Sequence, residues 1–201
     1  MNLLAGLQPG RLHGLNWLSE STWEMLPGDV LRVHAPPRTD RFQDPAGKHV
    51  MDSSPFLYAM VTGDFAARVL VRPRFVTTWD AGCILVRHEA KLWAKLCFES
   101  TDLGTLAAVS VVTNGLSDDA NGVNLEREDL WLQIVRVGNC FCMHYALDGR
   151  KWSMVRFFHL PMPAAVQVGI AAQSPAGPGT QVDFQHFAIA VGTVGNIRTG
   201  V

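Results

Sequence analysis

The sequence predicts an all-β protein folded as a sandwich of two antiparallel sheets, and three observations support this. The chain of 201 residues is 48% hydrophobic and 17% charged, which is enough apolar material for one substantial core. Glycine and proline divide the chain into short segments in which apolar and polar residues alternate. No stretch keeps an apolar face at helical spacing over three turns. About ten such segments exceed what one open sheet usually holds, so two packed sheets are expected.

Ten segments have the alternation and the apolar or β-branched composition of strands. In chain order they are DVLRVHAP, PFLYAMV, DFAARVLVRPRF, AGCILVRHE, KLWAKLCFES, LAAVSVVT, LWLQIVRVGN, CFCMHYALDG, AAVQVGIAAQS and QVDFQHFAIAV. We therefore expect a jelly roll in which alternate residues of each strand face the core.

The segments between these strands look like connections within one domain. The turn at 137–139 joins WLQIVR to CFCMHYAL, and Asp148-Gly149 is a hairpin signal. The loop at 174–181 holds two prolines and two glycines between strong strands, which is typical of a connection and not of a linker. A single β-sandwich domain over residues 1–201 is expected.

Composition argues against several classes of partner and cofactor. A net charge of −1 and an isoelectric point near 6.6 give no field that would attract nucleic acid or an anionic membrane. The first residues lack a basic region followed by a long apolar run, so we expect neither a signal peptide nor an anchor, and a cytoplasmic location. No Walker loop, dinucleotide fingerprint or nucleophile elbow is present, and no cofactor is expected. Four cysteines lie in alternating apolar segments, where small buried thiols are common: Cys83, Cys97, Cys140 and Cys142.

Six segments in order give the chain a family resemblance. They are TDRFQDP (39–45), GDF (63–65), WDAGCILVRHEAKLWAKLCFE (79–99), SVVTNGLSDD (110–119), LDGRKWSMVRFFHL (147–160) and VGIAAQSPAGPGTQVDFQHFAI (168–189). Over about residues 15–190 the chain resembles the DUF1349 domain, whose members include a yeast regulator of enolase. The resemblance implies a concanavalin A-like lectin/glucanase jelly roll with a ligand site on its concave sheet.

The segment LWAKLCFE presents two different faces if it is a strand. Alternation places one apolar set on one face and a mixed set on the other: Leu92, Ala94, Leu96 and Phe98, against Trp93, Lys95, Cys97 and Glu99. Two interpretations of the mixed face remain open. It is either a solvated face with a cross-strand ion pair of about 0–1 kcal/mol, or the floor of a polar groove. In the groove interpretation Trp93 stacks on a sugar, while Lys95, Glu99 and Ser110 bind hydroxyl groups.

Three more residues are candidates for ligand contacts. Trp79 and Asp80 lie where a loop enters a strand, a usual place for such contacts. Arg156 and His159 differ in parity, so a regular strand would direct at most one of them into the groove. The family resemblance favours Arg156, and the alternative is an ordinary surface charge.

Catalysis has little support in the sequence. The glucanases of this fold carry E-x-D-x-x-E, and that pattern does not occur here. Glu99 is the candidate for a catalytic carboxyl group, yet it has no acidic neighbour two or four residues away in its strand. A pair formed across strands, such as Glu99 with Asp80, is left open.

A metal site has one candidate. SDDANGVNLERE (117–128) approaches the pattern of a calcium loop, with acidic or amide side chains at loop positions 3 and 5, glycine at 6 and glutamate at 12. A lectin-like calcium site formed by Asp118, Asp119 and Asn121 is a separate alternative. Serine replaces the first aspartate, and strand-like segments flank the loop where helices should be. We therefore interpret the stretch as an acidic surface turn without metal.

The sequence leaves three functional hypotheses. The first is a non-catalytic module that binds a saccharide or another small polar ligand. The second is a regulatory domain that binds a protein partner, as the resemblance suggests. The third is a glycoside hydrolase.

Overall fold

The computed structural model describes all 201 residues and contains sixteen strands, which we number in chain order. Seven of them form an antiparallel sheet that we call the front sheet. In spatial order it contains β1 (Asn16–Leu18), β6 (Phe56–Thr62), β15 (Ala165–Gln173), β8 (Ala81–Glu89), β9 (Leu92–Ser100), β10 (Leu106–Asn114) and β11 (Leu116–Asn124).

A second seven-stranded antiparallel sheet, the back sheet, packs against the first. In spatial order it contains β14 (Ser153–His159), β13 (Cys140–Ala146), β12 (Leu130–Val137), β7 (Phe65–Pro73), β16 (Thr180–Val191), β3 (Val30–Ala35) and β2 (Trp23–Leu26). Two short strands, β4 (Arg41–Gln43) and β5 (Val50–Asp52), pair with each other and form a separate hairpin. The predicted two-sheet sandwich is confirmed.

All ten predicted strands are present, and six further strands were not predicted. Four of these, β1, β2, β4 and β5, have only three or four residues, which is too short for alternation to show. The most informative omission is β11, whose sequence LSDDANGVN has the composition of a turn. It is a strand because it pairs with β10 along nearly its whole length.

The core between the sheets is one cluster of 32 buried apolar residues. From β9 it takes Ala94, Leu96 and Phe98, as alternation predicts, and Leu4 and Leu7 from the N-terminal segment join it. The protein has no helix of the length and hydrophobicity needed to cross a bilayer.

A second apolar cluster of ten buried residues lies on the opposite, outer face of the front sheet. It includes Cys83 and Leu85 of β8 and Trp93 and Cys97 of β9. Residues 81–86 are consequently buried on both faces of the sheet. Two-sided burial is the reason that β8 is almost continuously apolar instead of strictly alternating.

The C-terminal segment folds back over the outer face of the back sheet. Gln133 Nε2 donates to the carbonyl of Gly200 at 3.0 Å, and His144 Nε2 lies 3.1 Å from the carbonyl oxygen of Arg198. The guanidinium of Arg198 lies 5.4 Å from the ring centre of Phe157. Burial under this segment lowers the pKa of His144, against the opposing effect of the hydrogen bonds with the backbone.

Candidate functional site

A groove of about 540 Å³ opens on the outer face of the front sheet, beside the β4–β5 hairpin. Its floor contains Lys95 and Glu99 of β9, Val111 of β10, and Asp119 and Asn121 of β11. Register explains this grouping, because Lys95 lies opposite Val111 and Val111 lies opposite Asp119. Directly opposite residues of paired strands point to the same face of a sheet.

Two walls enclose the floor. Phe42 and His49 of the hairpin segment form one wall. The other is formed by three loops at one end of the sandwich, which contribute Trp79, Asp102 and Pro175. The groove is therefore a built cavity on one sheet, with aromatic side chains at its rim and carboxyl groups in its interior.

Lys95 is a structural cross-link within the groove floor. Its Nζ donates to Asp40 Oδ1 at 3.0 Å, to the carbonyl of Arg41 at 2.8 Å and to Gln173 Oε1 at 2.8 Å. An ammonium group has three protons, so all of its donors are engaged by the protein. Burial alone would lower the pKa of Lys95, but the adjacent Asp40 carboxylate outweighs it and the pKa is raised. Lys95 stays charged and has no proton left for a ligand.

The hairpin is attached to the front sheet by a network of charged groups and backbone bonds. The Arg41 guanidinium contacts the Asp52 carboxylate, and Arg87 Nη2 of β8 lies 3.2 Å from Asp52 Oδ2. The backbone N–H of Gln43 donates to Ser117 Oγ at 2.9 Å. Arg41 is fully buried, and this burial lowers its pKa to about 10, with the charge of Arg87 adding to the effect. Its contacts cover the outer cluster and form the edge of the groove.

Glu99 is the buried group in the groove without a protein partner. It is 7% exposed, and its carboxyl group makes no hydrogen bond or ion pair with the protein. Burial raises its pKa well above the usual value, and Asp119 and Asp40 add to this while Lys95 opposes it. Burial also raises the pKa of Asp119. A buried carboxyl group of this kind is available to a ligand.

Trp79 stands at the rim with its side chain 44% exposed. Its backbone is left-handed, at φ +67°, which is unfavourable for a residue with a large side chain. Two bonds hold it there: its N–H donates to the Ser100 carbonyl at 2.6 Å, and its carbonyl accepts from Gln173 Nε2 at 3.3 Å. Gln173 thus bonds to both Lys95 and Trp79. Through these two residues it links the two walls of the groove.

The expectation that Trp93 offers a stacking surface is wrong. Trp93 is fully buried in the outer cluster, and its Nε1 donates to the Ala90 carbonyl at 3.1 Å. The Lys95 ammonium lies 5.6 Å from the ring centre, so the aromatic face already has a protein cation against it. Alternation placed Trp93 on the correct face of β9, and the hairpin above that face buries it.

Ser110 and Asp80 also lie outside the groove. Ser110 is directly opposite Leu96, a residue of the inner core, so it points away from Lys95 and Glu99. Asp80 is fully buried, and its Oδ2 accepts hydrogen bonds from the backbone N–H groups of Val76 and Thr77, both at 2.9 Å. Asp80 therefore holds the turn that carries Trp79, and is not part of the cavity lining.

Arg156 binds the edge of the front sheet and does not line the groove. Its Nη1 donates to the Asp118 carbonyl at 3.2 Å, and its Nη2 lies 2.8 Å from Asp118 Oδ1. The contact ties β14 of the back sheet to β11 of the front sheet. The role of Arg156 that this geometry supports is structural.

The interpretation of residues 117–128 as an acidic turn is wrong for residues 117–124, and so is the calcium-loop alternative. This part is strand β11, and alternation sends Asp119 and Asn121 to the groove while Asp118 points to the other face. Asp118, Asp119 and Asn121 therefore cannot surround one ion. No group of three or more histidine, cysteine, aspartate or glutamate residues is arranged to hold a metal.

Several groove residues were not predicted: Asp40, Phe42, His49, Asp102 and Gln173. Three of them lie within segments that carry the family resemblance, Asp40 and Phe42 in TDRFQDP and Gln173 in IAAQSP. The sequence signal that could have identified Asp40 and Gln173 is a polar residue inside such a segment, beside an otherwise apolar strand. Asp102 lies in an exposed turn and gives no comparable signal.

Two face-to-face antiparallel sheets with a walled groove on one of them define a concanavalin A-like jelly-roll protein. Within this class the family model "Protein of unknown function (DUF1349)" matches residues 17–191. The chain belongs to the DUF1349 family.

Comparison with individual proteins agrees with this assignment. "Regulation of enolase protein 1" of Saccharomyces cerevisiae is 27% identical over 179 residues, covering 86% of this chain and 90% of that protein. A solved structure of a functionally unknown S. cerevisiae protein has a TM-score of 0.82 at 25% identity, over 88% of this chain and 96% of that one. Carbohydrate binding module CBM66 of Bacillus subtilis has a TM-score of 0.53 at 14% identity, over 88% and 94% of the two chains. At that identity the similarity to the module concerns the fold alone.

Proposed function

We propose that the protein is a non-catalytic binding module whose groove holds a saccharide or a similar polyol. The observation that carries the proposal is Glu99, a carboxyl group that is 7% exposed, faces the cavity and has no protein partner. The Glu99 oxygens keep contact with solvent in the groove, and a ligand hydroxyl would replace that solvent as their hydrogen-bond partner.

The rest of the groove suits the same class of ligand. Binding sites for small molecules are typically about 300–1,000 Å³, with a few placed polar groups among apolar surfaces. The exposed ring of Trp79 can stack on the apolar C–H face of a pyranose. Asn121 and Asp119 on the floor supply an amide and a carboxyl group for further hydroxyls. The fold is also one on which a carbohydrate-binding module is built.

The carboxyl pair that the sequence suggested for hydrolysis, Glu99 with Asp80, is not present in the groove. Glycoside hydrolysis uses two carboxyl groups placed about 5–9.5 Å apart across the scissile bond. Asp80, the partner considered for Glu99, is engaged in a turn outside the groove. Asp40 on the other side is bound by Lys95.

A glycan array followed by calorimetric titration of the positive sugars tests the proposal. We expect at least one saccharide to bind, and Trp79→Ala to weaken its binding about tenfold, which corresponds to about 1.4 kcal/mol. Phe157→Ala is the matched control, because Phe157 is 43% exposed but lies on the back sheet. The absence of binding across a broad sugar panel, or equal effects of the two substitutions, would overturn the proposal.

A regulatory role through a protein partner is the second candidate. The observation that favours it is the name of the S. cerevisiae relative, which connects that protein with enolase. Surface plasmon resonance with purified enolase tests it, and a dissociation constant weaker than millimolar would count against it. For both candidates we propose a cytoplasmic location, supported by cysteines that remain unpaired, and cell fractionation tests that location.

A further inference from the structure

The groove contains more carboxyl groups than it can neutralise. Four line it, namely Asp40, Glu99, Asp102 and Asp119, against the single ammonium of Lys95. Lys95 binds Asp40 at 3.0 Å, so three carboxyl groups have no bound cation. His49 does not change this, because its Nε2 is directed towards Asp40 as well, at 3.6 Å.

The groove offers an anionic ligand no free cationic side chain from its floor. The ammonium of Lys95 has all three protons engaged by Asp40, Arg41 and Gln173. The guanidinium groups of Arg41 and Arg87 are directed to Asp52, outside the cavity lining. A ligand carboxylate or phosphate would therefore meet carboxyl groups without a free donor of positive charge.

A cationic ligand meets the opposite situation. An ammonium group beside Glu99 would give the buried carboxyl a charge-assisted bond, which is about twice as strong as one between neutral groups. The exposed face of Trp79 is a favourable surface for a cation or for the C–H face of a ring. One ligand that carries both an ammonium group and a pyranose ring can use both features.

Building on the proposed polyol-binding function, we propose that the groove selects amino sugars, with the ammonium group against Glu99 and the sugar ring on Trp79. A neutral sugar has the same hydroxyl contacts without the ion pair. A uronic acid brings a carboxylate that finds no free cation in the groove, because the Lys95 ammonium is fully engaged.

This pairing predicts how binding depends on pH. Burial raises the pKa of Glu99, so the free groove holds a proton there that an ammonium ligand must displace. Affinity for an amino sugar should therefore rise with pH, by up to about tenfold per unit, until the sugar amine itself loses its proton. The other titratable groups that face Glu99 are Lys95 and Cys97 on β9, Asp119 on β11, and Asp40 of the segment before the hairpin.

The test is calorimetric titration of the full chain with three matched pairs: glucosamine and glucose, galactosamine and galactose, mannosamine and mannose. D-glucuronate is the anionic probe. In at least one pair we expect the amine to bind about tenfold or more tightly at pH 7 and to lose this advantage at pH 5. Glu99→Gln should abolish the preference and its pH dependence while neutral sugars still bind. Glu89→Gln is the control, because Glu89 is exposed at the end of β8.

The outcomes separate the two proposals. The amino-sugar inference is overturned if each neutral sugar binds as tightly as its amino counterpart, or if the preference for amino sugars survives Glu99→Gln. Either result leaves the polyol proposal standing. Tight binding of D-glucuronate would have the same consequence. Failure of every sugar to bind to the wild-type protein, shown to be folded by circular dichroism, would overturn both proposals.

Discussion

Glu99 and Lys95 lie four residues apart on one strand face, and their environments have opposite consequences. The Lys95 ammonium has three protein acceptors, whereas the Glu99 carboxyl has none. Burial therefore works against the charged form of Glu99, and the charge of Lys95 offsets this only in part. The buried lysine supports the native structure, and the buried glutamate faces the groove without a protein partner.

The first prediction concerns the stability of the ligand-free protein against pH. The pKa of Glu99 is raised well above 4.5, so the native state binds this proton more tightly than the unfolded chain does. Stability therefore falls as pH rises from about 4.5 through the native pKa. Glu99→Gln cannot ionise, and it should become more stable than the wild type in that range, with the difference growing as pH rises.

Thermal denaturation monitored by circular dichroism between pH 4 and pH 8 measures the difference in stability between Glu99→Gln and the wild type. Glu89→Gln, at an exposed site of the neighbouring strand, should follow the wild-type curve. A constant offset between Glu99→Gln and the wild type would show that Glu99 titrates normally in the native state.

Individual residues also show how far the sequence can determine a site. Alternation correctly divided β9 into an inner and an outer face. It could not place Ser110, because that requires the register between β9 and β10. Nor could it show that Trp93 is buried, since the covering hairpin is a tertiary contact. Trp79 was identified from its position before a strand, and its exposure at the groove rim agrees with that interpretation.

At the scale of elements, the β4–β5 hairpin is the part of the site that polar contacts attach to the front sheet. Lys95 binds the segment before β4 through Asp40 and through the carbonyl of Arg41. Replacement by methionine would leave the Asp40 carboxylate largely buried without its cation. Removal of one partner of a buried ion pair usually costs about 3–5 kcal/mol.

We therefore expect Lys95→Met to lower the free energy of unfolding by about 3–5 kcal/mol. Loosening of the hairpin should also speed tryptic cleavage after the exposed Lys48 in its turn. Urea denaturation and limited proteolysis measure the two effects. Lys91→Met, at an exposed turn position, is the control.

The double variant Lys95→Met/Asp40→Asn should recover part of the lost stability, because it removes the uncompensated charge. Equal stabilities of Lys95→Met and Lys91→Met would show that the hairpin is held by other contacts.

Strand β11 illustrates why one element escaped prediction. Five of its nine residues are polar, and all seven positions after Ser117 are exposed. Edge strands of this kind obtain their conformation from the neighbouring strand and not from their own side chains. The composition that hid the strand is also what supplies Asp119 and Asn121 to the groove.

At the scale of the whole molecule, the C-terminal segment closes the outer face of the back sheet. It covers His144, which is fully buried and whose pKa is lowered chiefly by burial. A histidine of this kind binds its proton more weakly in the native state than in the unfolded chain. The full chain should therefore lose stability as pH falls below about 6.5.

Deletion of residues 193–201 removes two hydrogen bonds to the sheet and should cost about 1–3 kcal/mol near neutral pH. It should also make stability less dependent on pH below about 6.5, because an exposed His144 regains an ordinary pKa. Thermal melts at pH 5.5 and pH 7.5 test both effects. Arg198→Ala keeps the backbone hydrogen bonds and should change stability much less. A truncated protein with the melting profile of the full chain would contradict a stabilising role of the C-terminal segment.

The front sheet is buried on both sides at β8 and β9, and this has a consequence for how the family can diversify. The floor of the groove rests on strands fixed by apolar packing above and below, so a side chain such as Glu99 is held in place before any ligand arrives. The residues at the groove's open end, Trp79, Asp102 and Pro175, come from three loops, and Trp79 and Asp102 are exposed positions in them. Substitutions in those loops can therefore change which ligand is preferred while the scaffold and the central carboxyl group stay the same.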